Sequence, residues 1–304
     1  MQTRGLLIFP SQSALKGERF FISRKEEKPD HGGTSSCESH FKSLGELRAR
    51  GGCRGHHGHT LPVSDSWNAR ELIPSVVEEF PAEAFRHAQT AVQHTKKLGA
   101  FNTICFDGDI LSGFNTDFTG FLKSYQNIRG NQPAGNVLLI GAGGVGRSVA
   151  FALLELGVSK IWLFDKNPER ACQLSDALNR QKHDIARKIT GKITGDLPEK
   201  VNGIVNCSPA GMYGYDSLPL SQSGFPAYFD WAFDAVYQPV ETSFKKLATA
   251  RQAEFISGFD LFFWQGVDAF RIFTGQEIKD AASLRLTLFE KVHHSRQAGP
   301  PNKV

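Results

Sequence analysis

The sequence predicts an α/β protein built on a doubly wound parallel sheet, with a second, smaller α/β domain. Three observations carry that expectation. From Asn136 onward, short apolar runs alternate with amphipathic stretches, the mark of successive strand–helix units. The first of these runs ends in a glycine-rich turn that opens a helix. The composition also changes along the chain: residues 1–60 hold nine glycines and no Val, Tyr or Trp, whereas from about Val63 the sequence turns globular.

The elements follow in order. A helix is expected from near Phe118. Val137 to Ile140 reads as a buried strand and Arg147 to Leu156 as the helix after it, closed by Gly157 as a C-terminal cap. Lys160 to Phe164 is a second strand, and Pro168 to Asn179 a second helix with proline where a first turn tolerates it. Gly203 to Cys207, Ala232 to Val236 and Glu254 to Ile256 read as further strands. Phe259 to Phe273 and Ala281 to His293 are closing helices, and Gln297 to Val304 is a polar tail.

At 304 residues, 40% of them apolar and 22% charged, the chain suffices for two domains and a sizeable core. No apolar run approaches the ~18 residues that span a bilayer. Leu6 to Phe9, stopped by Pro10, is too short for a signal-peptide core, so a cytoplasmic protein is expected. Five cysteines, with no C-x-x-C pair, argue against a disulfide framework or a zinc ribbon. The excess charge of +4 sits within the first sixty residues, where ten Lys/Arg face six Asp/Glu. Without a basic stripe and interleaved aromatics it argues against nucleic-acid binding.

Gly141, Ala142, Gly143, Gly144, Val145 and Gly146 form a G-x-G-x-x-G between a strand and a helix. In that context the first glycine makes the tight turn, the second lets the backbone approach a pyrophosphate, and the third lets helix and strand pack closely. The helix N-terminus then offers free N–H groups to phosphate charge. Asp165, at the end of the second strand, is placed to accept hydrogen bonds from ribose hydroxyls, which favours NAD. NADP is less favoured, because a 2′-phosphate would meet the carboxylate, with Lys166 and Arg170 in partial compensation.

Several segments together resemble the shikimate/quinate dehydrogenase family. They are Gly99-Ala-Phe-Asn-Thr103, Gly113-Phe-Asn-Thr-Asp117, the glycine loop, Asn206-Cys-Ser-Pro-Ala-Gly-Met212, Phe233-Asp-Ala-Val-Tyr-Gln-Pro239 and Gly258 to Gln265, in the family's order and spacing over about residues 97–280. The Asp after the second strand and the segment Val267 to Gly275 look most like its NAD-preferring quinate/shikimate branch. The resemblance implies hydride transfer between NAD and a ring hydroxyl of shikimate or quinate, with a Lys–Asp pair handling the hydroxyl proton. It implies that Asp117 is the Asp of that pair and that Asn102, Thr60, Gln265, Tyr237, Ser11 and Ser13 bind substrate. Ser208, Met212, Val236 and Gly258 would join the glycine loop and Asp165 around the cofactor. A polyhydroxylated acid suits such a set, since an unmatched buried polar group costs about 1–3 kcal/mol. The implied organisation is a substrate domain over 1–116, with the order of 1–60 left open, a dinucleotide domain over 117–258, closing helices over 259–294 returning to the substrate domain, and a tail over 295–304. The partner is a small molecule held in the cleft between domains, with neither nucleic acid nor membrane involved; the oligomeric state is open, a homodimer among the options.

The chain departs from the family near its start. The family's Ser-x-Ser-Pro is here Ser11-Gln12-Ser13-Ala14, and its Val-Thr-x-Pro-x-Lys is His59-Thr60-Leu61-Pro62-Val63-Ser64. The lysine position thus holds Ser64, which leaves the proton acceptor unassigned; Lys96 and Lys97 have no geometric reason to replace it. Were His56 to Thr60 encoded as CAT CAC GGT CAC ACA, reading one base later would give Ile-Thr-Val followed by Thr, so a shifted frame across part of residues 14–90 would account for the departure. A catalytically impaired NAD-binding remnant and an NADP-dependent biosynthetic shikimate dehydrogenase are the alternatives. Cys53, His56, His57 and His59, with Cys37, His31 and His40 upstream, match no standard metal-ligand spacing, and no metal site is expected.

Overall fold

The computed structural model describes residues 97–107, 110–189, 197, 201–215, 217–221 and 224–294, and before these only the backbone of four strands, β1 (Gly5–Ile8), β2 (Phe20–Ser23), β3 (Lys42–Ser43) and β4 (Thr90–Ala91). Thr60, Ser11, Ser13, Ser64 and the His/Cys run lie outside the described residues. The chain divides into two compact units, residues 1–115 and 116–304.

In the first unit β5 (Thr103–Asp107) and β6 (Ile110–Phe114) form an antiparallel hairpin. The sheet runs β3-β2-β1-β5-β6-β4, parallel only where β4 meets β6. Three of its strands fall within residues 1–60, where the composition announces none.

The second unit contains α1 (Thr116–Arg129), β7 (Asn136–Ile140), α2 (Gly144–Glu155), β8 (Lys160–Phe164), α3 (Pro168–Gln181), β9 (Ala186–Lys188), β10 (Gly203–Asn206), β11 (Trp231–Asp234), α4 (Ser243–Ala250), β12 (Glu254–Ser257), α5 (Gly258–Thr274) and α6 (Ala281–His294). Its sheet is parallel throughout, in the order β12-β11-β10-β7-β8-β9. Counted from β7 this is 3-2-1-4-5-6, the doubly wound order, and its direction reverses between β7 and β10. Strand period sorts the core into two layers. Leu138, Ile140, Ile204 and Ala232 pack with Phe229 and Phe244 in one cluster. Trp231 and Phe233 contact Tyr125 and Phe121 of α1 edge to face, at 5.2 and 4.9 Å between centroids.

Helix ends obey local chemistry. Asn167 caps α3, its side chain accepting from Glu169 N–H at 3.0 Å with Pro168 in the first turn. Gly157 takes a φ of 65° just past α2, the left-handed stop that the sequence predicts. Helix α2 begins at Gly144 rather than Arg147. Its first three residues include two glycines of low helix propensity, so the pattern alone starts it late. Strand β11 stops at Asp234, not Val236, because Val236 N–H turns back to the Asp234 carboxylate instead of joining a ladder. Among the described residues no helix is long and apolar enough to cross a membrane.

Candidate functional site

The carboxyl ends of β7, β8, β10 and β11 carry the candidate site of the second unit. Gly141 adopts a φ of 95°, and a Cβ there would lie 2.7 Å from the Cys207 carbonyl and 2.8 Å from Ser208 N. Only glycine lets the turn after β7 pass under the turn after β10. A Cβ on Gly146 would stand 1.9 Å from the Gly141 oxygen, so this glycine is what brings α2 onto its strand. Gly143 differs: a Cβ there would meet nothing within 4 Å. It is the N-cap of α2, and as a glycine it offers no side chain to the first-turn amides, so the positive end of the helix dipole lies behind a position with room for a ligand. Those features fit a pyrophosphate, while Gly141 makes the tight turn and Gly146 the close packing of helix on strand.

Asp165 follows β8 and closes the loop from the side. One carboxylate oxygen accepts from Ala142 N–H at 2.6 Å and the other from Asn167 N–H at 2.7 Å. The carboxylate is thus pinned between the glycine loop and the cap of α3, with lone pairs left on both oxygens.

After β10 and β11 lies a polar network that the sequence reading leaves unassigned. Asn206 and Asp234 are neighbours in register and both fully buried. Asn206 Nδ2 donates to Asp234 Oδ1 at 2.9 Å and to the Ala210 carbonyl at 3.1 Å, while its Oδ1 accepts from Ser208 N–H at 3.0 Å and Ser208 Oγ at 2.6 Å. Asp234 also accepts from Val236 N–H at 3.1 Å and from the Thr242 hydroxyl at 2.7 Å. Burial pushes the Asp234 carboxyl up to about 7, against the pull of its three donors. Burial likewise pushes the Cys207 thiol well up, and the Asp234 and Asp117 carboxylates add to it. The visible signal for this network was a polar residue closing each of two buried strands, Asn206 and Asp234.

Asp117 sits buried in the first turn of α1, near enough to Cys207 to act on its thiol. Helix α5 crosses α1 closely: a Cβ on Gly120 would be 3.0 Å from both Gln265 N and the Leu261 oxygen. Gln265 is buried, and its Oε1 has no hydrogen-bond partner among the described residues. Tyr237 is buried with its ring stacked on Phe262 at 5.0 Å between centroids, and Met212 is half-buried. Gly258 packs on backbone, where a Cβ would lie 2.4 Å from the Ala235 oxygen. In the first unit, Asn102 is buried, accepting from the Thr103 hydroxyl at 3.1 Å and donating its N–H to the Phe114 carbonyl at 3.0 Å. The Asn115 amide reaches the Ala100 carbonyl at 3.5 Å, and Gly113 faces the Phe101 ring, so the Gly99–Thr103 and Gly113–Asn115 segments lie side by side.

Sheet order, switch-point loop and carboxylate define the class: a doubly wound α/β protein of the dinucleotide-loop type. No family model matches the chain. It is 36% identical over 193 residues to a shikimate dehydrogenase (NADP(+)) of Streptomyces avermitilis, covering 63% of this chain and 66% of that one. It is 33% identical over 209 residues to a shikimate dehydrogenase (NADP(+)) of an Arthrobacter species, covering 68% and 70%. The match thus spans about two thirds of these relatives' own length. The solved quinate dehydrogenase from Corynebacterium glutamicum in complex with NAD superposes with a TM-score of 0.63 at 31% identity, over 69% of this chain and 75% of that one. The chain belongs to the shikimate/quinate dehydrogenase family.

Proposed function

We propose that the protein is an NAD-dependent oxidoreductase of the cytoplasm acting on a ring hydroxyl of shikimate or quinate. The observation that carries this reading is the room in front of the α2 N-terminus, where a Cβ on Gly143 would meet nothing within 4 Å, flanked by the pinned Asp165 carboxylate. The loop Gly141–Gly146 would hold the pyrophosphate through its amides. Ser208, Met212, Val236 and Gly258 would border the nicotinamide end. NAD, when bound, supplies the hydride acceptor. Asp117 orients and polarises the reacting hydroxyl. Asn102, Thr60, Gln265, Tyr237, Ser11 and Ser13 hold the remaining polar groups of the substrate. The unmatched Gln265 Oε1 supports such a role, because a buried acceptor without a donor costs about 1–3 kcal/mol that a substrate hydroxyl would recover.

NAD is preferred over NADP in this reading because the Asp165 carboxylate is held in place by two backbone amides and would repel a 2′-phosphate. The similar proteins include both NADP(+) enzymes and an NAD complex, so the preference rests on Asp165.

The test is the initial rate of reduced-cofactor formation by the whole chain with quinate and with shikimate, using NAD⁺ and then NADP⁺. Faster turnover with NAD⁺ is expected; preference for NADP⁺ would overturn the cofactor assignment. Ser64 at the lysine position favours a second reading, a family member that binds NAD without turnover, since loss of a general acid/base costs roughly 10²–10⁴-fold in rate. NADH binding with no detectable rate on either substrate would establish it.

A further inference from the structure

We infer that Asp234 is a positioning residue, which fixes the orientation of the Asn206 amide and thereby shapes the turn that receives the nicotinamide end of the cofactor. The inference rests on the NAD reading above and adds to it a residue that touches neither cofactor nor substrate.

The argument begins with the chemistry of an amide side chain. Asn206 has a donor end and an acceptor end of nearly equal shape, and its surroundings decide which way it faces. Asp234 Oδ1 is an acceptor whether the carboxyl is ionised or carries a proton on Oδ2 towards Thr242, so the amide turns Nδ2 towards it, as the 2.9 Å contact has it. The acceptor Oδ1 is then left facing the turn after β10, where it takes both the N–H and the hydroxyl of Ser208. Every hydrogen-bonding capacity of the amide is filled once Nδ2 also meets the Ala210 carbonyl. Were the amide reversed, its NH₂ would confront the Ser208 N–H, donor against donor, and the turn would open.

The same carboxylate holds the turn after β11 through Val236 N–H, and the start of α4 through Thr242, which caps that helix by accepting from Lys245 N–H at 3.0 Å. In the NAD reading Ser208 borders the nicotinamide end, so an opening of this turn is felt there rather than at the adenosine half of the cofactor. Two turns and a helix start at the carboxyl edge of the sheet therefore hang on one buried group, at the switch point where such folds take their ligands.

The experiment measures the affinity of the whole chain for NADH and for ADP-ribose, which lacks the nicotinamide, in the wild type and in Asp234→Ala, Asn206→Ala and Asp234→Asn, each checked for fold by circular dichroism. Asp234→Ala and Asn206→Ala should each weaken NADH binding about tenfold and leave ADP-ribose binding unchanged. Asp234→Asn should stay within about threefold of wild type, because its oxygen still receives Asn206 and Val236 while its NH₂ meets the Thr242 hydroxyl. The inference is overturned if either alanine variant that folds keeps wild-type NADH affinity, if it loses NADH and ADP-ribose alike, or if Asp234→Asn behaves as Asp234→Ala. Should an alanine variant not fold, the other two variants carry the comparison. A wild type that binds neither ligand instead refutes the NAD reading itself.

Discussion

A carboxyl group that is buried without a cation links pH to stability. For Asp234 the folded chain keeps its proton up to about 7, whereas the unfolded chain releases it near 3.8. Between those values the folded state binds more protons, so this group's contribution is complete below about pH 4 and is lost as the pH rises through about 7. The wild type should therefore lose stability relative to Asp234→Asn across that window, by the order of 1 kcal/mol per pH unit, in Tm measured at intervals from pH 4 to 8. Gly146 makes a different kind of prediction. With 1.9 Å between a Cβ and the Gly141 oxygen, Gly146→Ala must push α2 off β7, and overpacking of this kind costs about 1–3 kcal/mol. A Tm lower by several degrees and weakened NADH binding are expected together. Asp165→Ser, by contrast, should leave Tm little changed while narrowing the NAD⁺ over NADP⁺ preference in kcat/KM about tenfold, as the repelling charge is removed.

At the scale of elements, what the sequence discloses depends on length and period. The runs Val137–Ile140 and Ile161–Phe164 are apolar throughout and lie between turn signals, so their strands are read nearly to the residue. The strand Ala186–Lys188 is three residues with two exposed cations at a sheet edge and shows no pattern. The helix Ser243–Ala250 is little more than two turns, too short for a period to register. The glycine loop and Asp165 are legible because motif and spacing name them. The Asn206–Asp234 pair is not, because it exists only once β10 and β11 align Asn206 opposite Asp234. Nor does sequence reveal why residue 120 is glycine, which is the approach of α5 to α1. Gly120→Ala should force the helices apart at Leu261 and Gln265 and raise KM for the polyol more than it lowers kcat, in steady-state rates at saturating NAD⁺.

On the scale of the whole molecule, the 3-2-1-4-5-6 order fixes which parts of the chain must find one another. Helix-covered parallel strands could be foreseen from the alternation of apolar runs, but their order could not, since β7, β8, β10 and β11 are all apolar enough to be central. The seam between β7 and β10 pairs Val137 with Gly203, with all of α2, β8, α3 and β9 intervening. Closing so long a loop costs entropy before any contact repays it, so this seam is among the slow events of folding. The glycine loop and the turn that crosses it become neighbours only when that seam is shut. NADH has nothing to grip in the transition state if the seam closes last: it should leave the refolding rate unchanged and slow unfolding, a kinetic guard acquired only by the finished chain.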